Sequence, residues 1–287
     1  MKEKSVFITG AGSGIGLALA RRLDQSGWKV FAGVRGQEYD EMIRMVSARI
    51  TVIPINITEL LQIEEAAESI RKAVGENGLS LLINNAAITG APGPVEFVDI
   101  DQFKQVLDVN FWGHLRVVQA FLPLLRLYDR PRIIMVSSSS IYFTIPLGCS
   151  YPVSKEALSA LSRHLRIEMA PFGIEVTTLE PGGVNTAMTR FTKEDSDTIW
   201  DAIPDHMRDG YLKRFSSPGN GIQKGFKFIE PEAFAEMVYK KVICAKKLKP
   251  VYTLGKGVGL LPVMQRLLTK TAMEKISRRL FSVKMAE

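Results

Sequence analysis

Apolar positions along the chain fall into two alternating rhythms. Short, nearly continuous apolar runs, rich in β-branched residues, read as buried strands at Ser5–Thr9, Lys29–Val34, Ile50–Ile55, Leu79–Ile83, Arg132–Val136 and Ile174–Leu179. Between them the apolar residues take helical spacing. Gly14–Gln25 carries Leu17, Ala20 and Leu23 on one face, and Thr58–Val74 starts at Thr58 as its predicted N-cap. Phe103–Leu127 reads as one long helix and Tyr151–Met169 as another. This alternation predicts an α/β fold, a doubly wound parallel sheet with helices on both faces and right-handed crossovers.

The rhythm breaks between Met188 and Phe228. That stretch scatters Phe191, Trp200, Tyr211, Phe215, Phe226 and Phe228 among polar residues, with a loop signal at Ser216–Gly221. A helical pattern resumes over Pro231–Ala245. From Leu260 onward apolar residues (Leu261, Val263, Met264, Leu267, Ile276, Leu280) alternate with Arg266, Lys270, Lys275, Arg278, Arg279 and Lys284. The expected organisation is one domain over 1–255, containing a segment of irregular pattern at about 188–228, followed by a basic amphipathic extension over 256–287.

Composition is that of an ordinary globular chain: 287 residues, 46% hydrophobic and 23% charged. No apolar stretch is long enough to span a bilayer, and Val6-Phe7-Ile8 leads into a glycine turn rather than a signal cleavage site, so the expected location is cytoplasmic. The two cysteines, Cys149 and Cys244, read as small core residues. Neither they nor His114, His164 and His206 make a metal-ligand spacing, so no metal is expected. The net charge of +7 is uneven: Lys240–Glu287 holds twelve Lys/Arg against two acids, which leaves the rest of the chain slightly acidic. Such a tail suits an anionic membrane surface, and it equally suits a solvated face or a partner subunit. Nucleic-acid binding has no motif behind it.

The first strand and first helix are joined by Thr9-Gly10-Ala11-Gly12-Ser13-Gly14-Ile15-Gly16. A phosphate-bearing ligand needs close backbone approach and free amides at a helix N-terminus, and glycines here permit both. Strand, turn and helix stand in the required order, which a chance glycine-rich turn lacks.

Read as Thr-Gly-x-x-x-Gly-x-Gly, this turn resembles that of the short-chain dehydrogenase/reductase family. Asn84-Asn85-Ala86-Ala87 resembles the family's Asn-Asn-Ala-Gly segment, with Ala87 replacing the glycine. Ser137-Ser138 follows the fifth strand, Tyr151-Pro152-Val153-Ser154-Lys155 matches the Tyr-x-x-x-Lys signature, and Pro181-Gly182 follows the sixth strand. The resemblance runs in order from Lys4 to Thr186, and lies toward the steroid and retinol dehydrogenase-like members. It implies a Rossmann fold, with the segment 188–228 as a helical substrate lid, and an oxidoreductase acting on CH–OH groups.

It also implies a nucleotide site built from Gly10, Ser13, Gly14, Ile15, Gly16, Arg35, Asn56, Ile57, Asn84, Ala86, Tyr151, Lys155, Pro181, Gly182, Val184 and Thr186. A carboxylate at the end of the second strand would bind a ribose 2′-hydroxyl and repel a 2′-phosphate. None occurs in Val30–Arg35, and Arg35 falls where phosphate-binding arginines sit, so NADP(H) is favoured over NAD(H). Asn56 departs from the family's aspartate, although its oxygen can still accept a bond from an adenine amino group.

Tyr151 and Lys155 lie one helical turn apart and project from one face. A free tyrosine, with a pKa of about 10, is a poor base near neutrality, and a neighbouring ammonium favours its phenolate. Tyr151 is therefore the expected proton donor and acceptor, with Lys155 beside it. By resemblance Ser138 bonds the substrate oxygen, Asn110 supports a proton relay to Lys155, and Thr186 holds the nicotinamide carboxamide. The aromatic-rich lid suits a bulky apolar alcohol or ketone of steroid, retinoid or long-chain type. A homodimer or homotetramer is implied, through the helices carrying Asn110 and Tyr151. Two other readings stay open: an NAD-linked alcohol or hydroxy-acid dehydrogenase, and a nucleotide-sensing protein without turnover.

Overall fold

A computed structural model of the chain describes residues 3–190, 192–215 and 227–285. Seven parallel strands form one sheet in the order β3-β2-β1-β4-β5-β6-β7. They are β1 Ser5–Thr9, β2 Lys29–Val34, β3 Ile50–Pro54, β4 Leu81–Asn84, β5 Arg132–Val136, β6 Glu175–Pro181 and β7 Val251–Leu254. Strand side chains alternate between two buried layers. Val6 and Ile8 of β1 face the layer of α1 (Gly14–Gln25), while Phe7 faces the opposite one. The first layer holds α1, α2 (Gly36–Met45) and α9 (Pro231–Val238). The second holds α3 (Leu60–Val74), α5 (His114–Leu125) and α6 (Ser150–Met169), with Phe7 stacked on Phe121.

Several expectations are corrected. The long helix over Phe103–Leu127 is broken: α4 (Ile100–Leu107) passes through a π-helical turn, Asp108–Gly113, into α5. A side chain at Gly113 would lie 2.8 Å from Ile57, so the bend packs directly on the chain after β3. The N-cap of α3 is Glu59, not Thr58; Thr58 instead gives its amide to Asn56 Oδ1. Helix α2 and edge strand β7 were not anticipated. Around Pro231–Ala245 the α-helix stops at Val238 and continues as a π turn, Tyr239–Ile243. Cys244 is exposed and Cys149 half-buried, so neither is core filling.

The segment after β6 contains α7 (Lys193–Asp201) and α8 (Asp205–Arg214). Among its described residues Ile199 and Ile203 are buried, whereas Trp200, Tyr211 and Phe215 are half-buried. Tyr211 stacks on Phe215, meets the Phe97 ring at a tilt of 59° and donates a 2.6 Å hydrogen bond to Glu96, tying α8 to the loop after β4. Phe191, Phe226 and the Ser216–Gly221 loop lie outside the described residues.

The basic extension forms two helices, α10 (Leu261–Leu267) and α11 (Lys270–Leu280). Leu261, Ser277 and Phe281 are buried, and Leu261 and Val258 pack on Tyr142. Among the described residues no helix is long and apolar enough to cross a membrane.

Candidate active site

The strand order reverses between β1 and β4, and the glycine turn sits at the carboxyl end of β1, where doubly wound sheets hold their ligands. Gly10 has φ +64°, and a side chain there would lie 2.7 Å from the Ala86 backbone. At Gly16 a side chain would run into the Gly10 carbonyl. Ser13 is the N-cap of α1 yet makes no side-chain cap bond, so the helix amides are not claimed by its own hydroxyl. Thr9 Oγ1 accepts the amides of Asn85 and Ala86, and Asn85 Nδ2 donates back to the carbonyls of Thr9 and Gly10. These bonds join the turn to the segment after β4.

The remaining nucleotide candidates lie at the same edge. Arg35 is exposed and directly follows β2, as the N-cap of α2. Asn56 and Ile57 follow β3; the Ile57 side chain is buried, so only its backbone can meet a ligand. Asn84 is also buried. Its amide nitrogen is bonded to His114 O at 3.1 Å and its Oδ1 has no partner, so its side chain faces α5 rather than the crevice. Beyond β6, Gly182 packs so closely on Val258 that a side chain would clash at 2.8 Å, and Val184 is buried. The Thr186 methyl lies 3.0 Å from where a Gly14 side chain would be, which puts it over the glycine turn. A cradle closed to side chains, an uncapped helix start and a cation after β2 fit a nicotinamide dinucleotide.

The catalytic candidates converge next to this cradle. Tyr151, in the first turn of α6, is a neighbour of Ser138, whose hydroxyl favours the ionised form of its phenol. Lys155 Nζ lies 5.7 Å from the Tyr151 ring centroid and donates to Val136 O at 2.9 Å. Of the four serines after β5, Ser138 is half-buried while Ser137, Ser139 and Ser140 are buried. Ser137 is committed elsewhere: it donates to Lys155 O and accepts from Ser159. Geometry thus separates Ser138 from its neighbours, which spacing alone did only by assuming no insertion.

Asn110 sits on the π turn, fully buried. Its amide donates to Ile88 O at 2.8 Å and Ser154 Oγ at 2.9 Å, and its oxygen accepts the Ile88 amide. Both of its N–H groups are therefore engaged in holding structure. Two participants lacked a sequence signal. His114 Nε2 lies 2.7 Å from Ala86 O, and its Nδ1 is buried without a partner. Ser154 links Asn110 to Tyr151 O, where it donates at 2.7 Å. Each looks like an ordinary helix residue in the sequence.

The electrostatics differ from the simple phenolate–ammonium picture. Burial pushes the Tyr151 phenol up, and the Ser138 hydrogen bond works against it. Burial lowers Lys155 to about 7. Burial, then the Lys155 charge, lowers His114 to about 3, against the opposing effect of its bond to Ala86 O. His114 is therefore neutral, with its proton on Nε2 for Ala86 O. In this site the phenol's ionisation is favoured by Ser138, and Lys155 is poised between its charged and neutral forms.

Sheet order, glycine turn and crevice define a doubly wound, Rossmann-type protein. The chain belongs to the short chain dehydrogenase family, which it matches over residues 4–197. Members of this family use NAD or NADP. The chain is 33% identical to mouse estradiol 17-beta-dehydrogenase 2, over 74% of its own length and 55% of that protein. It is 34% identical to rat mitochondrial D-beta-hydroxybutyrate dehydrogenase, over 74% of its length and 64% of that protein. It thus spans between about half and two thirds of these curated relatives. A solved short-chain dehydrogenase from Streptomyces avermitilis superimposes with a TM-score of 0.72 at 23% identity, covering 97% of this chain and 98% of that one.

Proposed function

We propose that the protein is an NADP(H)-preferring oxidoreductase that interconverts a ketone or aldehyde with its alcohol, on a bulky apolar substrate. The observation that carries this is the Lys155 Nζ held 5.7 Å from the Tyr151 ring centroid by its bond to Val136 O, with half-buried Ser138 after β5, beside the glycine cradle. A bound nicotinamide supplies or accepts the hydride. The Tyr151 hydroxyl gives its proton to the substrate oxygen in reduction and takes it back in oxidation. Ser138 hydrogen-bonds that oxygen and stabilises the charge that develops on it. Lys155, when protonated, favours the phenolate and gives the ribose hydroxyls a donor. Asn110 holds the π turn to α6 through Ser154 and so supports a proton relay to Lys155. Gly10, Ser13, Gly14, Ile15 and Gly16 bind the pyrophosphate, Arg35 the 2′-phosphate, and Asn56, the Ile57 backbone and Ala86 the adenosine side, with the buried Asn84 bracing that wall against α5. Pro181, Gly182, Val184 and Thr186 seat the nicotinamide.

The half-buried aromatics of the lid support a bulky substrate. The relatives named above span a steroid-named and a small hydroxy-acid-named enzyme at similar identity, so the choice rests on the lid. Titration with NADPH and NADH, followed by nucleotide fluorescence, tests the cofactor reading: tighter NADPH binding supports it, and equal or tighter NADH binding overturns it. A panel of ketones follows, in which a small soluble ketone turned over best contradicts the bulky-substrate reading.

A second reading concerns partners. Leu260 and Leu267 are 70% and 76% exposed on the extension, among Lys256, Arg266 and Lys270. Lys275, Arg278, Arg279 and Lys284 line a groove against Met285. This combination supports peripheral contact with an anionic membrane. Unchanged liposome binding after the Leu260→Ser and Leu267→Ser exchanges counts against it. Half-exposed Trp112 and Val153 support pairing of subunits through the helices that carry Asn110 and Tyr151.

A further inference from the structure

A buried acid stands where the reaction proposed above makes no use of it. Glu180, 3% exposed, is the residue of β6 just before Pro181-Gly182. Its Oε2 accepts two hydroxyl bonds, from Tyr142 at 2.6 Å and from Thr253 of β7 at 2.7 Å. The two hydroxyls are 3.5 Å from each other. Such lengths are those of O–H donors on an ionised carboxylate. Burial raises the Glu180 carboxyl and the two hydroxyl bonds oppose it, while the same pairing pushes the Tyr142 phenol up.

The position of Tyr142 gives this cluster its meaning. Ser137 N donates to Leu179 O at 2.8 Å, the last rung between β5 and β6. Ser138 comes next and caps the short 3-10 turn Ser139–Tyr142, its Oγ accepting the Ser140 amide at 3.1 Å. Tyr142 closes that turn and reaches back to Glu180, one residue past the rung. The turn is also held from outside. Val258 and Leu261 pack on Tyr142, and the buried Ser277 of α11 accepts the Thr144 amide at 3.1 Å. Ser138 is thus fixed on one side by the sheet and on the other by a carboxylate that also stands at the start of the Pro181-Gly182 turn.

We propose that Glu180 is a positioning residue: through Tyr142 it holds the Ser138 hydroxyl in register with Tyr151. The proposal rests on the catalytic reading of Tyr151 and Ser138. Buried polar networks are costly when broken, so the carboxylate and its two donors hold the turn in one arrangement. A misplacement of about 1 Å at a reacting group costs on the order of 10²-fold in rate. The titratable groups that bear on this reading are Lys155, 5.7 Å from the Tyr151 ring, His114, which feels the Lys155 charge, and the Tyr142–Glu180 pair itself. Ser138 is the group whose bond favours ionisation of Tyr151.

The test uses the full chain with Tyr142→Phe, Thr253→Val and Glu180→Gln. The first reading is the phenolate absorbance titration of Tyr151, taken in each background as the difference from a Tyr151→Phe partner. Tyr142→Phe moves that titration to higher pH by about one unit, because the Ser138 bond loosens. Thr253→Val moves it the same way by less, and serves if Tyr142→Phe does not fold. Glu180→Gln keeps an acceptor oxygen and returns most of the effect. With a ketone from the panel, kcat falls about tenfold or more in Tyr142→Phe, while KM and NADPH affinity stay within about twofold. An unchanged Tyr151 titration in a folded variant overturns the proposal. So does a kcat loss matched by equal losses in nucleotide affinity and melting temperature. If the wild-type chain turns over no ketone, the catalytic reading fails, and the titration still decides whether Glu180 positions Ser138.

Discussion

Asn110 Nδ2 donates to Ser154 Oγ at 2.9 Å, and Ser154 Oγ in turn donates a hydrogen bond to the Tyr151 backbone carbonyl at 2.7 Å. The π turn of the α4–α5 rod is thereby fastened to the helix bearing Tyr151 and Lys155. The turn exists because one extra residue in the helical ladder brings Asn110 inward, where it also clamps both backbone groups of Ile88.

Removing that clamp leaves buried groups unsatisfied. Asn110→Ala is expected to destabilise the fold by about 1–3 kcal/mol and to lower kcat as well. Ser154→Ala, which removes one bond while leaving Ile88 held, is expected to cost less on both counts. Thermal melts and steady-state kinetics on the two variants check the order.

Arg35 is the residue on which the proposed preference for NADP(H) rests. Arg35→Ala is expected to weaken NADPH about ten- to a hundredfold, with NADH binding nearly unchanged. Fluorescence titration of both nucleotides measures this, and equal weakening of the two removes the 2′-phosphate from the account.

Lys155 is held in the fold against its own charge. Its pKa is about 7 in the folded chain against an ordinary 10.5. The unfolded chain therefore binds the extra proton between those values, and stability falls as pH drops from about 10.5 to 7. Lys155→Met is expected to raise the melting temperature of nucleotide-free protein at pH 7, with the gain shrinking toward pH 10, and to abolish turnover. Melts across that range, beside an activity assay, check both halves.

His114 has the same sign at lower pH. Its folded pKa is about 3 against an ordinary 6.5, with burial as the main cause. Its contribution is complete above about pH 6.5 and is lost as pH falls toward 3. The wild-type melting temperature is expected to drop more steeply between pH 6.5 and 4 than that of His114→Gln.

The sheet was legible because β1, β2, β4, β5 and β6 are buried along nearly their whole length and so read as apolar runs, while β3, with Thr51 and Pro54 exposed, still shows its β-branched Ile50, Val52 and Ile53. Edge strand β7 buries only Tyr252 and Leu254, and among the described side chains of α2 Met42 and Tyr39 meet the core, so neither element left a clear pattern. The glycine turn, Ser138, Tyr151 and Lys155 were legible because their chemistry fixes both residue type and spacing. The π turn was not: Asp108–Gly113 keeps near-helical spacing, and the change is one of hydrogen-bond register. The Tyr142–Glu180 bond joins residues distant in sequence through side chains that look surface-like in isolation. The amphipathic pattern of the extension was visible, while its docking on Tyr142 and Thr144 depends on tertiary contacts that periodicity does not encode.

The most direct test of the central claim is NADPH-dependent reduction of a bulky ketone by the wild-type chain and by Tyr151→Phe, with NADPH affinity measured on both. The account predicts turnover by the wild-type chain, a loss of about 10²–10⁴-fold in kcat for the variant, and nucleotide affinity that barely changes. Turnover by Tyr151→Phe at the wild-type rate would contradict it.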